Sequence, residues 1–209
     1  MLLQLLQRVF RRICEIPSRG LPRFRSARVG DGADGIVWLT NPRSRNFARG
    51  VRYQGCDPVA CEELIRSLDI RYEDWHFVDV GCGKGRALMI AKKFPFQRVI
   101  GVEYSPKLAA AARALTGAMV FCCDAADYKF PEVPLVVFMY HPFDKSVLEK
   151  VLANLHGEVI LIYLGVGREW PGENPRFKEI RRTKNAVIYR TLATNGESQV
   201  SDLRSKKSE

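Results

Sequence analysis

The sequence of 209 residues has no Cys-x-x-Cys pair and only three histidines, so the spacing typical of zinc sites is absent. Its six cysteines are therefore expected to be free thiols, mostly in the core of a protein from a reducing compartment. No apolar run approaches the roughly 18–20 residues that span a bilayer. Hydrophobic residues still make up 46% of the chain, which excludes a wholly disordered protein and predicts a sizeable core.

Lysine is missing from residues 1–52, which hold 11 arginines against three acids and carry a net charge of +8. Residues 53–192 carry +2 and residues 193–209 are neutral. The positive charge belongs mainly to an N-terminal arm, which makes a nucleic-acid-binding body a less favoured interpretation. We expect three regions: a basic arm and connector at 1–52, one domain at 53–192, and a polar disordered tail at 193–209.

The first 13 residues have the pattern of a basic amphipathic helix, with Arg8, Arg11 and Arg12 between apolar side chains. Such a helix can lie on an anionic membrane surface or on a protein partner. A mitochondrial transit peptide and a helix packed loosely on the core are alternative interpretations. We expect a cytoplasmic protein, with peripheral membrane attachment and mitochondrial import left open.

Apolar strand-like segments alternate with helical segments after residue 76. Strands are predicted at 76–80, 98–103, 118–122, 135–139 and 159–164, and helices at 86–94 and 106–115. A further helix begins at Pro58, with an apolar face that includes Leu68, and another, capped by Asp144, runs through Leu155. Two last strands, 177–183 and 186–192, lie too close together for an intervening helix and predict an antiparallel hairpin. The sequence therefore predicts an α/β, Rossmann-like, doubly wound and mostly parallel sheet with a C-terminal antiparallel hairpin.

A glycine-rich turn follows the first predicted strand and precedes a helix, with glycines at Gly81, Gly83 and Gly85. Glycines there allow a sharp backbone turn and let a ligand lie against backbone amides at a helix start. The dinucleotide-binding fingerprint would place its third glycine where this chain has Arg86. We expect Lys84 and Arg86 to face solvent at the start of the helix.

Acidic residues follow the next two predicted strands. Glu103 ends the second strand, where a carboxylate can accept both hydroxyls of a ribose. Asp124 follows the third strand and can accept from the exocyclic amine of adenine, while the amide of Ala125 meets a ring nitrogen; a plain turn role is the alternative. Tyr104 is a candidate for stacking on the adenine, with packing against the next helix as the alternative.

These segments resemble the class I S-adenosylmethionine-dependent methyltransferases across residues 53–192. The likeness is greatest to a bacterial group with a DxGxGKGR loop, which is distantly similar to protein-lysine methyltransferases. The resemblance implies S-adenosyl-L-methionine as cofactor and a seven-stranded sheet; we expect no metal, because zinc-site spacing is absent. It also implies that Asp79 orients the glycine turn or the cofactor's amino group, and that Tyr53 belongs to a segment folded over the cofactor. The implied cofactor-binding residues are Asp79, Gly81, Gly83, Gly85, Glu103, Tyr104, Asp124, Ala125 and Tyr53.

The methyl acceptor is expected beside the segment Tyr140-His141-Pro142-Phe143, which follows the fourth strand. Many relatives carry Asn or Asp where this chain has His141, so the acceptor is left open. His141 and Tyr140 are catalytic candidates, because an imidazole titrates near neutral pH and can take a proton from an amine; capping of the next turn is the alternative for His141. Pro142 and Phe143 are candidates for substrate contacts or for walls of the pocket.

The sequence thus predicts a methyltransferase with an unidentified acceptor, among which a protein amine or a small molecule is favoured over RNA. Two alternatives stay open at this point. One is an NAD-dependent oxidoreductase on a similar sheet, against which the glycine spacing and the terminal hairpin both count. The other is a non-catalytic partner protein that binds the cofactor.

Overall fold

The computed structural model describes residues 55–140, 145–165 and 174–192. The helices in this part of the chain are α1 (Pro58–Arg66), α2 (Arg86–Ala91), α3 (Pro106–Thr116) and α4 (Lys145–Ala153). Short 3-10 turns lie at Tyr72–Asp74 and Ala125–Asp127. The strands are β1 (His76–Val80), β2 (Arg98–Glu103), β3 (Met119–Cys122), β4 (Leu135–Tyr140), β5 (Val159–Leu164), β6 (Phe177–Arg182) and β7 (Ala186–Thr191).

All seven strands form one sheet in the order β3-β2-β1-β4-β5-β7-β6. The first five strands pair in parallel, whereas β7 pairs antiparallel with both β5 and β6. The predicted fold class is therefore confirmed: a mostly parallel, doubly wound sheet with an antiparallel C-terminal hairpin.

One row of paired residues crosses most of the sheet near the carboxyl ends of the parallel strands. Val80 lies beside Val102 and Met139, Met139 lies beside Tyr163, and Tyr163 lies beside Val187. We call this side of the sheet its carboxyl end. In an open α/β sheet, ligands bind outside this end, where the strand order reverses.

The helix starts follow their capping residues. The side chain of Asp57 accepts from the amide of Ala60 at 2.9 Å, and that of Ser105 accepts from the amide of Leu108 at 3.5 Å. A proline occupies the first turn in both helices, where its missing N–H costs nothing. The third helix ends at Gly117, whose φ of 60° lies in the left-handed region.

The hydrophobic core lies on both faces of the sheet, as expected for parallel strands covered by helices. The face that we call the α1 face packs against α1, α2 and α3 through residues such as Phe77, Phe138 and Ile162. The α4 face packs against α4 through residues such as Val137 and Leu161. No helix in the described segments is long and apolar enough to cross a membrane.

The second helix ends at Ala91, three residues before the predicted end. Phe94 leaves the helical path because the residue before a proline disfavours helical backbone. Its ring then packs 5.2 Å from that of Tyr72, while Phe96 lies edge-on to Tyr72 at 5.1 Å. The predicted arm at 1–52 and tail at 193–209 lie outside the described residues.

Candidate functional site

The turn after β1 carries three glycines in the left-handed region, with φ of 79° at Gly81, 55° at Gly83 and 85° at Gly85. The amide of Gly81 donates to the carbonyl of Val102 at 2.8 Å, which ties the turn to β2. A Cβ on Gly85 would lie 2.7 Å from the methyl group of Thr116. The turn therefore requires glycine for its left-handed backbone, and at Gly85 also because α3 approaches closely.

Glu103 bridges the glycine turn and the start of α3. Its Oε2 accepts from the amide of Gly83 at 2.9 Å, and its Oε1 accepts from the amide of Ser105 at 2.8 Å. Burial raises the pKa of Glu103, and backbone hydrogen bonds from Ser105, Gly83 and Tyr104 oppose that rise. A carboxylate offers about four acceptor directions, more than these amides use. Glu103 therefore holds the turn in place and keeps acceptor capacity for a hydroxyl donor.

Asp79 lies at the end of β1 with its side chain buried. Burial, and to a smaller extent the charge of Glu103, raises the pKa of Asp79 to about 8. Its carboxyl group is therefore largely protonated at neutral pH in the absence of a nearby cation. A ligand that brings positive charge to this position would favour the ionised form.

The ends of β2 and β3 bring a second carboxylate close to Glu103. The amide of Cys123 donates to the carbonyl of Glu103 at 3.2 Å, and Asp124 follows directly. Asp124 caps a short turn by accepting from the amide of Ala126 at 3.0 Å. Burial, then the charges of Glu103 and Asp124, raise the pKa of Tyr104 to about 12, so its phenol stays protonated at neutral pH.

Lys84 and Arg86 are buried, so the expectation that they face solvent is wrong. Nη1 of Arg86 donates to the carbonyl of Cys56 at 3.1 Å, and a Cβ on Gly55 would lie 2.7 Å from the same nitrogen. The chain just before α1 thus crosses the start of α2 and accepts its guanidinium. The contact joins residues 30 positions apart, which the local sequence pattern could not indicate.

We expect Arg86→Met to lower the free energy of unfolding by about 2 kcal/mol, because the buried carbonyl of Cys56 loses a charged donor. Urea unfolding followed by circular dichroism measures this change. Arg66→Met is the matched control, since the side chain of Arg66 is 67% exposed and pairs with Glu62 at the surface. Equal losses in the two variants would contradict a structural role for the Arg86 contact.

Tyr140 ends β4 at the carboxyl end of the sheet, packed against the core of the α1 face. Burial, then the neighbouring Cys56, raise the pKa of Tyr140, so its phenol stays protonated at neutral pH. The structure thus brings Tyr140 and the Cys56 segment together. The predicted site residues Tyr53, His141, Pro142 and Phe143 lie outside the described residues, and their roles stay predictions.

The methyltransferase domain family matches residues 77–158. A TehB-like SAM-dependent methyltransferase from Corynebacterium glutamicum is 19% identical, with a TM-score of 0.51 over 66% of this chain and 90% of that chain. An RNA methyltransferase from Salinibacter ruber, in complex with S-adenosyl-L-homocysteine, is 20% identical, with a TM-score of 0.51 over 66% and 92%. A predicted N6-adenine-specific DNA methylase from Listeria monocytogenes is 11% identical, with a TM-score of 0.55 over 67% and 52%.

No curated protein sequence matches this chain. The family match and these structures give no support to the alternative of an NAD-dependent oxidoreductase.

The residues at the carboxyl end of the sheet fit S-adenosylmethionine. Glu103 is a buried carboxylate with acceptor capacity that ribose hydroxyls could use, and Asp124, one strand further, is a carboxylate that could accept from the adenine amine. Ala125, the first residue of the short turn that Asp124 caps, is buried in the core of the α4 face. The left-handed glycines bring backbone without side chains to the end of β1. The match of residues 77–158 to the methyltransferase domain family agrees with the fold, since these residues include the glycine turn, Glu103 and Asp124.

Proposed function

We propose that this methyltransferase acts on an amine nitrogen of a protein or a small molecule, at the carboxyl end of β4. The observation that carries the proposal is the position of Tyr140. It ends the strand adjacent to β1, whose own end carries Asp79 and the glycine turn. The acceptor would therefore approach a methyl group held over the ends of β1 and β2.

The electrostatics of this end of the sheet support a nitrogen acceptor. Glu103 ends β2 and Asp124 follows β3, so two carboxylates lie at this end of the sheet, beside the largely protonated carboxyl group of Asp79. The phenols of Tyr104 and Tyr140 stay protonated. Carboxylates favour the approach of an amine or ammonium over that of a phosphate. The resemblance to protein-lysine methyltransferases supports the same acceptor class.

The chain has two tasks in this reaction, because S-adenosylmethionine supplies a methyl group that is already activated on a sulfonium. It must align the nucleophile, and it must take the proton from an ammonium before transfer. We assign the proton to His141, because the ordinary pKa of an imidazole suits it to proton transfer near neutral pH. The protonated phenol of Tyr140 orients the nitrogen by a hydrogen bond, and Pro142 and Phe143 are proposed as substrate contacts on the grounds of their place in the sequence after β4.

The acceptor class is tested with S-adenosylmethionine that carries a labelled methyl group. Purified enzyme is incubated with a dialysed lysate, and with the small-molecule fraction of the same lysate. We expect label in methylated amines, found as methyl-lysine after protein hydrolysis or as an N-methylated small molecule. Label that nuclease releases would contradict the amine proposal, and no transfer with intact cofactor binding would favour a non-catalytic partner protein.

We expect His141→Asn to lower kcat by about 100-fold or more, since general bases contribute that much to proton transfer. Tyr140→Phe should cost less, about tenfold, because it removes one orienting hydrogen bond. Affinity for S-adenosylhomocysteine should stay within about threefold in both variants. An unchanged kcat and pH profile in His141→Asn would exclude this residue as the base.

A further inference from the structure

The C-terminal hairpin is strongly basic, although the domain as a whole has a small net charge. Residues 174–192 hold six cations and one acid, whereas residues 53–192 carry only +2 together. Lys178, Arg181 and Lys184 are exposed, and none of them forms an ion pair with another described residue. Three uncommitted cations on one edge strand and its turn form what we call the hairpin cations.

The register of the sheet places the β6–β7 turn at the carboxyl end. Arg182 lies beside Val187, which belongs to the row that also contains Tyr163, Met139 and Val80. The turn between β6 and β7 is thus level with the ends of β1 and β4. Arg181 and Lys184 therefore lie on the same side of the molecule as the candidate site, whereas Lys178 lies further along β6, level with Val136 of β4.

The hairpin cations on β6 also share a face of the sheet with Tyr140. Arg181 lies opposite Ile188, and Lys178 lies opposite Arg190. Ile188 and Tyr140 both pack in the core of the α1 face. Arg190 is two residues from Ile188 and so lies on the same face. Because the register shifts between Glu179 and Arg181, Lys178 and Arg181 both project on the α1 face.

The separation between the cations and the proposed acceptor position follows from strand spacing. The strands β5 and β7 lie between β4 and β6, so three spacings of about 4.8 Å place Arg181 about 14 Å from β4. An extended peptide covers about 3.3–3.6 Å per residue. A chain lying across the carboxyl end reaches from one position to the other in about four residues.

We propose that the hairpin cations bind an acidic segment of a protein acceptor, about four residues from the methylated amine. This inference rests on the proposed function, and it narrows the acceptor from protein or small molecule to protein. An arginine binds a carboxylate with two parallel hydrogen bonds, and lysines add point charges along the strand. A small molecule held over β4 would not reach these side chains.

The composition of the hairpin favours carboxylates over a nucleic acid. Its aromatic residues Phe177 and Tyr189 are buried, so this surface offers no ring for stacking of bases. Arg182 and Arg190 are paired with Glu179 and Glu158. The cations left for a ligand are therefore separate from one another, and separate carboxylates of a peptide can each meet one of them.

The variant Lys178→Glu/Arg181→Glu/Lys184→Glu tests the proposal in the full chain. The probe is a labelled peptide with one lysine and a glutamate block about four residues away, and its binding is followed by fluorescence anisotropy. We expect binding to weaken by about tenfold or more, with strong salt dependence in the unchanged protein. The same peptide with glutamine in place of glutamate should bind neither protein well.

The control variant Arg98→Glu/Lys129→Glu/Lys150→Glu makes the same change in net charge at exposed positions elsewhere. It should bind the acidic peptide within about twofold of the unchanged protein. The 11 arginines of residues 1–52 are present in every protein compared, so the difference between the two triple variants isolates the hairpin. Equal weakening in both variants, or in neither, overturns the proposal.

Two further measurements separate the possible failures. A single-stranded RNA of matched charge is titrated in parallel, and loss of RNA binding with unchanged peptide binding would assign the surface to nucleic acid. Calorimetry with S-adenosylhomocysteine should give the same affinity in all three proteins. No binding of S-adenosylhomocysteine by the unchanged protein would overturn the proposed function, whereas intact cofactor binding with intact peptide binding in the hairpin variant overturns the acceptor inference alone.

Discussion

Replacing Glu103 by Ala is expected to weaken the binding of S-adenosylhomocysteine by about 100-fold or more. The variant loses the hydrogen bonds that ribose hydroxyls would donate to this carboxylate. It also loses the two hydrogen bonds that the amides of Gly83 and Ser105 donate to it, which hold the glycine turn. Hydrogen bonds to a charged group contribute about 1.5–3 kcal/mol each, and every 1.4 kcal/mol is tenfold in affinity. Isothermal titration calorimetry measures the change directly.

Two further variants show whether the effect belongs to the site. Asp124→Ala should weaken binding by about tenfold, because that carboxylate is half-exposed and already caps a turn through the amide of Ala126. Glu149→Ala, an exposed acid on α4, should leave the affinity unchanged. Unchanged affinity in both Glu103→Ala and Asp124→Ala, in proteins that unfold cooperatively, would refute the assignment of the pocket.

Replacing Asp79 by Asn is expected to change the pH dependence of stability. The pKa of Asp79 is raised to about 8 by burial and by Glu103, above the ordinary value of 3.8. The folded state therefore holds a proton that the unfolded state has lost between about pH 4 and pH 8. This contribution to stability is fully present below about pH 4 and disappears as pH rises through about 8.

The unchanged protein should lose stability over this range, by up to about 1.4 kcal/mol per pH unit for a single proton. Asp79→Asn cannot ionise, so its free energy of unfolding should depend much less on pH and exceed that of the unchanged protein at pH 8. Urea unfolding between pH 5 and pH 9 measures both curves. Asp69→Asn, at an exposed position, is the control and should follow the unchanged protein.

The same carboxyl group predicts a proton linked to cofactor binding. The cationic amino group of S-adenosylhomocysteine would favour ionised Asp79, so binding near pH 7 should release up to one proton and strengthen as pH rises toward 8. Calorimetry in two buffers with different ionisation enthalpies measures the release. Asp79→Asn should abolish it; a release that persists in this variant must come from another group.

The elements of the fold could be predicted because each depends on nearby residues. Continuous apolar runs predicted the buried strands, and Asp57 and Ser105 before proline predicted two helix starts. The short connection after β6 predicted the hairpin. The end of α2 was predicted three residues too late, because Phe94 precedes Pro95 and leaves the helical path, and the start of β3 was predicted one residue too early.

The sequence by itself determined the order of the strands along the chain and which residues follow each strand, and so it placed Asp79, Glu103 and Asp124 at one end of a parallel sheet. The tertiary structure alone decided that Glu103 bridges two backbone amides and that Arg86 is buried against the Cys56 carbonyl. It also decided that Arg181 shares a face with Tyr140. Capping and strand periodicity act over a few residues and can be read locally. Contacts between residues far apart in sequence depend on strand order and register, which arise only when the whole sheet packs.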